Sequence, residues 1–142
     1  MSTKELFTKP FKGRASRKTY FRGCGMYIAS LPLQILGFLM IGAGSHGAEV
    51  FSDTQLIIFL VCALTYLALW LWFLLLFTGL CVRRLHDAGH SGWPAVIVFI
   101  PTPFLVGQMA LMYYAHDLPA DPAENSYGLP EPNSGFRQIV GL

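Results

Sequence analysis

The hydrophobic pattern of this chain is one of long apolar runs separated by short polar islands. Residues 24–44 contain no Asp, Glu, Lys or Arg. At about 1.5 Å of rise per residue, some twenty such positions cross the roughly 30 Å hydrocarbon core of a bilayer. A first transmembrane helix is therefore expected there, with Pro32 as a kink point and Gly37, Gly42 and Gly44 permitting close helix contact. After the polar loop "SHGAEVFSDT", residues 55–82 form a second, longer apolar run, which must tilt or emerge into the interface at its ends. Residues 94–115 form a third, in which Pro101 and Pro103 remove backbone donors near the middle, so that it is expected to be kinked or re-entrant. The resulting expectation is an all-α integral membrane protein with three transmembrane helices in one domain over residues 1–142. A basic head (1–23), an elbow (83–93) and an irregular, proline- and glycine-containing tail (116–142) complete it.

Composition supports that reading. Hydrophobic residues make up 54% of the chain and charged residues 13%, against about 25% in ordinary soluble domains. Mean hydropathy is +0.48. Charge is unevenly placed: Lys4, Lys9, Lys12, Arg14, Arg17, Lys18 and Arg22 fill the head, Arg83 and Arg84 stand in the elbow, and the first loop has no cation. The positive-inside rule then puts the head and the elbow in the cytoplasm and the first loop outside. Three crossings would leave the acidic tail outside as well. No basic face on a soluble module is available for a duplex, so a nucleic-acid partner is not expected. Cys24, Cys62 and Cys81 are odd in number and lie in or beside apolar runs, which favours buried thiols over a disulfide framework. No cleavable signal is expected, because the first apolar run follows a long basic lead and lacks a small-residue exit.

The candidate chemistry lies in "RRLHDAGHSGW", residues 83–93. His86 and His90 have the i, i+4 spacing of a zinc-binding helix, with Asp87 where such sites carry a Glu base. Gly89 interrupts the would-be helical turn, and His46 and His116 would fall across the membrane, about 30 Å away, under three crossings. Neither a metal nor any other cofactor is therefore expected. A simpler reading uses more of the residues. Arg83 and Arg84 end the second helix, where cations suit both the helix dipole and lipid phosphate. Asp87 pairs with one of them, Gly89 and Gly92 turn the chain, and Trp93 anchors it at the interface. Ser16 is the expected N-cap of the first helix.

Three stretches, "FKGRASRKTYF" (11–21), "RRLHDAGHSGW" (83–93) and "ENSYGLPEP" (124–132), resemble the domain-of-unknown-function family 805. The head pattern is met by Gly13, Arg14, Arg17 and Tyr20. The elbow pattern is met by Arg83, Arg84, Leu85, His86, Asp87, Gly89, Ser91, Gly92 and Trp93, and the tail pattern by Asn125, Tyr127 and Gly128. Pro130 falls one position before the family's proline and Glu131 takes its place. Ser126 stands where Arg is common, and His90 where a cation is common. The resemblance implies a small bacterial inner-membrane protein and no particular activity.

The function expected from these features is non-enzymatic. Arg14, Arg17, Tyr20, Arg83, Arg84, His86, Asp87 and Trp93 would bind anionic lipid headgroups or a membrane partner protein, a second copy of the chain included. Two other readings are an oligomeric transporter or channel, which the absence of ionisable residues from the apolar runs disfavours, and a metal-dependent hydrolase using His86, Asp87 and His90.

Overall fold

The computed structural model describes residues 9–47, 51–99 and 105–130. A short 3-10 turn over Lys9–Phe11 precedes four helices: α1 (Arg17–Gly47), α2 (Asp53–Asp87), α3 (Trp93–Phe99) and α4 (Leu105–Asp117). The described residues contain no β-strand, only an isolated antiparallel bridge between Asn125 and Gly128. Both α1 and α2 are long and apolar enough to cross a membrane, and only 6% and 0% of their most apolar windows are buried. Apolar helices of that kind suit lipid contact, whereas the core helix of a soluble protein would be largely buried. Residues 94–115 fall in α3 and α4, on either side of 100–104; Pro101 and Pro103 lie outside the described residues.

Each long helix starts with a cap that its sequence supplies. Ser16 Oγ accepts the Thr19 N–H at 3.3 Å, the expected N-cap of α1. Ser52 and Gln55 form a reciprocal capping box at the start of α2: Ser52 Oγ accepts the Gln55 N–H at 3.4 Å, and Gln55 Oε1 accepts the Ser52 N–H at 3.0 Å. Helix α2 runs on to Asp87, so Arg83 and Arg84 lie within its last turns and the elbow proper begins only at Ala88.

The chain forms two compact units, residues 27–73 and residues 1–26 with 74–142. In the first, the Tyr66 ring fills the space a Cβ would need at Gly37, and the Phe59 ring does the same at Gly44; Gly42 faces open space. The Tyr66 hydroxyl donates to the Gln34 carbonyl at 2.7 Å and Trp70 Nε1 donates to Gln34 Oε1 at 3.0 Å. Phe38 meets the Tyr66 and Trp70 rings edge-on. The polar groups of Gln34, Tyr66 and Trp70 are thus matched to one another within an apolar unit. Thr65 likewise returns its hydroxyl to the Val61 carbonyl of its own helix.

The second unit contains the start of α1, the end of α2, α3, α4 and residues 118–130. Its core is Ala15, Tyr20, Leu80, Cys81, Leu85, Ala95 and Ala115, each no more than 1% exposed. Along the first turns of α1, Thr19, Tyr20 and Gly23 are buried, while Arg17, Lys18, Phe21 and Arg22 face outward. Tyr20 donates its hydroxyl to the Met112 carbonyl, tying α1 to α4. The 3-10 turn packs on Gly79, where a Cβ would stand 2.6 Å from the Pro10 carbonyl oxygen, so a side chain there displaces backbone. Gly25, also helical, has open space around its Cβ position. Gly79→Ala should therefore cost about 1–3 kcal/mol by overpacking. Gly25→Ala should be neutral or stabilising by up to about 1 kcal/mol through helix propensity. Thermal unfolding of the two variants in detergent micelles, followed by circular dichroism, checks the opposite signs.

Candidate functional site

The end of α2 is built as a Schellman motif. Gly89 adopts φ +74°, the His90 N–H donates to the Leu85 carbonyl at 2.9 Å, and the Gly89 N–H donates to the His86 carbonyl at 3.0 Å. Only glycine takes that left-handed position without a steric cost. The motif reverses the chain between His86 and His90, so the two imidazoles do not share a helix face. His86 Nδ1 lies 3.1 Å from the Gly13 carbonyl, and His90 Nδ1 lies 2.7 Å from the Ala88 carbonyl. Among the described residues, no three His, Cys, Asp or Glu side chains converge as a metal ion would require.

Asp87, 2% exposed, is the centre of the unit's polar network. Its Oδ1 receives Arg14 Nε at 3.0 Å and its Oδ2 receives Arg84 Nη1 at 2.7 Å. The expected pairing of Asp87 with an elbow arginine is realised with Arg84, at i, i+3; the second cation comes from the head, not from Arg83. Arg14 spends all five of its N–H donors. Besides Asp87 Oδ1, they reach the carbonyls of Ala123 at 2.7 Å, Gly128 at 3.2 Å, Asp87 at 3.2 Å and Asp121. The Asp87 carbonyl also accepts the Asp121 N–H at 2.8 Å. Head, helix end and tail are thereby laced together by one guanidinium.

The C-terminus of α4 is capped by two more arginines. Arg84 Nε donates to the Ala115 carbonyl at 2.9 Å and Nη2 to the Leu118 carbonyl, while Arg17 Nη2 donates to the carbonyls of Asp117 and Leu118. These are the carbonyls a helix leaves without intrahelical partners, and the negative end of its dipole favours cations. The 30 Å separation of His86 from His116 implied by three crossings is not what these contacts give, since Arg84 touches residues on both sides of His116. Arg83 is 3% exposed, and its carbonyl accepts the Ala15 N–H at 2.9 Å.

The tail motif closes against the same helix end. Asn125 Oδ1 accepts the Tyr127 N–H at 2.9 Å, an Asx turn, and Asn125 Nδ2 donates to the His86 carbonyl at 3.0 Å. Gly128, at φ +114°, completes a tight turn with Asn125. The Tyr127 ring stacks on the His86 imidazole, with centroids 3.8 Å apart and planes 3° from parallel. Beside this stack lies a cleft of about 490 Å³ whose walls include Phe11, His86, Ser91, Trp93, Val96 and Tyr127. His86 stands beyond the charge-free run of α2, and burial pushes its pKa below the ordinary value of 6.5, which favours the neutral ring. Trp93 is 68% exposed, the outward placement an interfacial anchor needs.

All three motifs therefore meet in one place. The family profile described as "Protein of unknown function (DUF805)" matches residues 8–129, most of the chain. The chain belongs to the DUF805 family. No curated protein and no solved structure matches it. The DUF805 match starts just before the 3-10 turn and ends just after Gly128, so it encloses the whole network around Asp87.

Of the expected site residues, Arg14, Arg84, Asp87, His86, Asn125, Tyr127 and Gly128 are joined by direct contacts, and Tyr20 lies in the adjoining core. Arg17 sits at the exposed edge. The partners that sequence reasoning missed are mostly backbone carbonyls, of Gly13, Ala115, Leu118, Asp121 and Ala123, which leave no signature in residue type. Phe11 and Val96 were also missed as walls of the cleft. Removing one member of a buried, hydrogen-bonded charge group leaves its partners uncompensated, at a cost of about 3–5 kcal/mol. Asp87→Ala should lose that much stability, seen as a large drop in unfolding temperature. Arg17→Ala, at the exposed edge, should cost less than about 1 kcal/mol in the same measurement.

Proposed function

We propose that this chain is a non-enzymatic integral membrane protein of the bacterial inner membrane whose head, elbow and tail form one cytoplasmic-face knot. In this reading α1 and α2 cross the bilayer, and the third apolar segment enters and leaves on the same face as a re-entrant pair of short helices. Supporting it are the bonds from Arg84 to Ala115 and Leu118 and from Arg14 to Asp121 and Ala123, which hold the C-terminal end of residues 94–115 against the end of α2. The short elbow from Ala88 to Gly92 keeps the N-terminal end beside the same helix end. Three full crossings would separate those ends by about 30 Å.

The knot's exposed cations then bind anionic headgroups. The single observation that carries this reading is the division of cations by burial. Arg14 is buried with every donor used, whereas Arg17, Lys18 and Arg22 share an exposed face of α1 with Phe21, which is 65% exposed. Cations around a protruding ring at the end of an apolar helix suit the headgroup layer, where each cation near an anionic surface contributes about 1 kcal/mol. Arg14, Arg84 and Asp87 serve as the frame that holds this face. The non-enzymatic reading rests on the same commitment: Asp87, the carboxylate that follows His86 in the elbow motif, is held by two guanidiniums, so it is not poised as a base.

Topology is tested with single cysteines on a background in which Cys24, Cys62 and Cys81 are replaced by alanine. Cysteines at Ser2 and Leu142 should react with an impermeant maleimide in inverted vesicles only, and one at Ser45 in spheroplasts only. Labelling of residue 142 from outside would instead establish an odd number of crossings. For the headgroup contact, a variant carrying Arg17→Gln, Lys18→Gln and Arg22→Gln should lose most co-purifying anionic phospholipid in native mass spectrometry while its unfolding temperature stays within a few degrees of wild type. Retention of that lipid would refute the assignment.

A further inference from the structure

The cleft beside the knot has a composition that the headgroup reading does not use. Four rings, from Phe11, His86, Trp93 and Tyr127, line it together with Val96, and its volume of about 490 Å³ falls within the range of about 300–1,000 Å³ typical of small-molecule sites. Besides the Tyr127 hydroxyl and the Trp93 indole N–H, the walls carry the polar side chains of His86 and Ser91, and the state of each of these two follows from its other bond. The Gly13 carbonyl can only accept, so His86 Nδ1 carries the proton in their 3.1 Å bond. In the neutral ring, which burial favours, Nε2 is left as an acceptor. Ser91 Oγ accepts the Trp93 N–H at 3.4 Å, which leaves its hydroxyl proton to be donated. Among aromatic walls, His86 thus offers the cleft an acceptor and Ser91 a donor.

We propose that this cleft is a binding site for a planar hydroxylated aromatic of the hydroquinone class, its ring between the aromatic walls, one hydroxyl donating to His86 Nε2 and an oxygen accepting from Ser91. A lipid acyl chain would suit the apolar walls and leave both polar groups without a match. The oxidised quinone has two carbonyls and no donor, so it satisfies Ser91 and leaves His86 Nε2 facing another acceptor. Sites that hydrogen-bond a ligand hydroxyl reject the analogue lacking it far more strongly than apolar pockets reject a missing methylene. His86 is held for this role by three neighbours: the Gly13 carbonyl on its Nδ1, the Tyr127 ring on one face, and Asn125 on its own carbonyl. The tail motif in this view fixes an imidazole in one tautomer and one orientation. The inference rests on the membrane reading only for the ligand's route, since hydroquinones with isoprenoid tails are bilayer-soluble; the cleft itself can be examined in detergent.

The test uses full-length protein in a maltoside detergent under anaerobic conditions, titrated with trimethylhydroquinone, with its oxidised quinone and with its dimethyl ether, and followed by calorimetry. Saturable binding of the hydroquinone at one per chain is expected, with the quinone and the ether weaker by about tenfold or more. Val96→Phe, which fills the cleft, and Ser91→Ala should each weaken hydroquinone binding by about tenfold while the unfolding temperature stays near wild type. Equal affinity for all three compounds would mean an apolar acyl-chain groove and would overturn the proposal. So would no binding of the hydroquinone at millimolar concentration, or unchanged binding in Val96→Phe. None of these outcomes bears on the headgroup assignment, which is read from phospholipid retained at the exposed face of α1, a helix that contributes no residue to the cleft lining.

Discussion

A carboxylate gripped by two guanidiniums sets the terms for the rest of this protein. Asp87 sits on the last turn of a helix long enough to cross a bilayer, and almost none of it reaches solvent. An unpaired charge in such a place would be strongly unfavourable, so its position dictates that cations come to it. Arg84 is supplied by the same helix one turn earlier. Arg14 arrives from seventy-three residues away and brings the head with it. Because Arg14 has donors to spare after meeting Asp87, it collects the carbonyls of the tail as well, and three segments remote in sequence become one unit.

The same network solves a second problem, the negative ends of two helices. Helix α2 stops at Asp87 and α4 at Asp117, both inside the unit formed by the chain's two ends. Among the described residues, three buried arginines, Arg14, Arg83 and Arg84, exceed the one buried carboxylate. The two helix C-termini supply roughly one further unit of negative partial charge between them, directed at the guanidiniums that cap them. The excess of cation is therefore better compensated than a count of side-chain charges suggests. Arg17 shares in the capping of α4 from its exposed edge, and Lys18 and Arg22, which take no part in it, remain on the surface.

Much of this was legible in the sequence, and the limits of legibility are physical. The charge-free runs marked α1 and α2, because helices long and apolar enough to cross a membrane advertise themselves by composition. Ser16 announced its cap, and Gly89 announced a chain reversal. What the sequence did not disclose was that Arg83 and Arg84 would remain inside the helix and be buried. A cation at a helix end reads as an interfacial residue, and for Arg84 it is Asp87 and the carbonyls at the end of α4, remote in sequence, that make burial tolerable. The tail was expected to be irregular, and residues 118–130 do lack a helix. Their irregularity is nonetheless ordered. Backbone groups without helical partners are free to be taken up by Arg14 and Asp87, which a regular element could not offer.

Proximity of His86 and Asp87 in sequence invites a catalytic reading, and the structure gives the two side chains opposite tasks. Asp87 turns inward to the arginines, whereas His86, one residue earlier on the helix, turns toward Gly13 and Tyr127 at the cleft. Successive residues on a helix point about 100° apart, so one can belong to the frame and the other to a surface that the frame supports. The match to the family profile runs from residue 8 to residue 129. Those limits coincide with the 3-10 turn that packs on Gly79 and with the Gly128 carbonyl that accepts from Arg14. Residues within those limits suffice to close the knot, and closing it is what brings Phe11, His86, Trp93 and Tyr127 to one cleft.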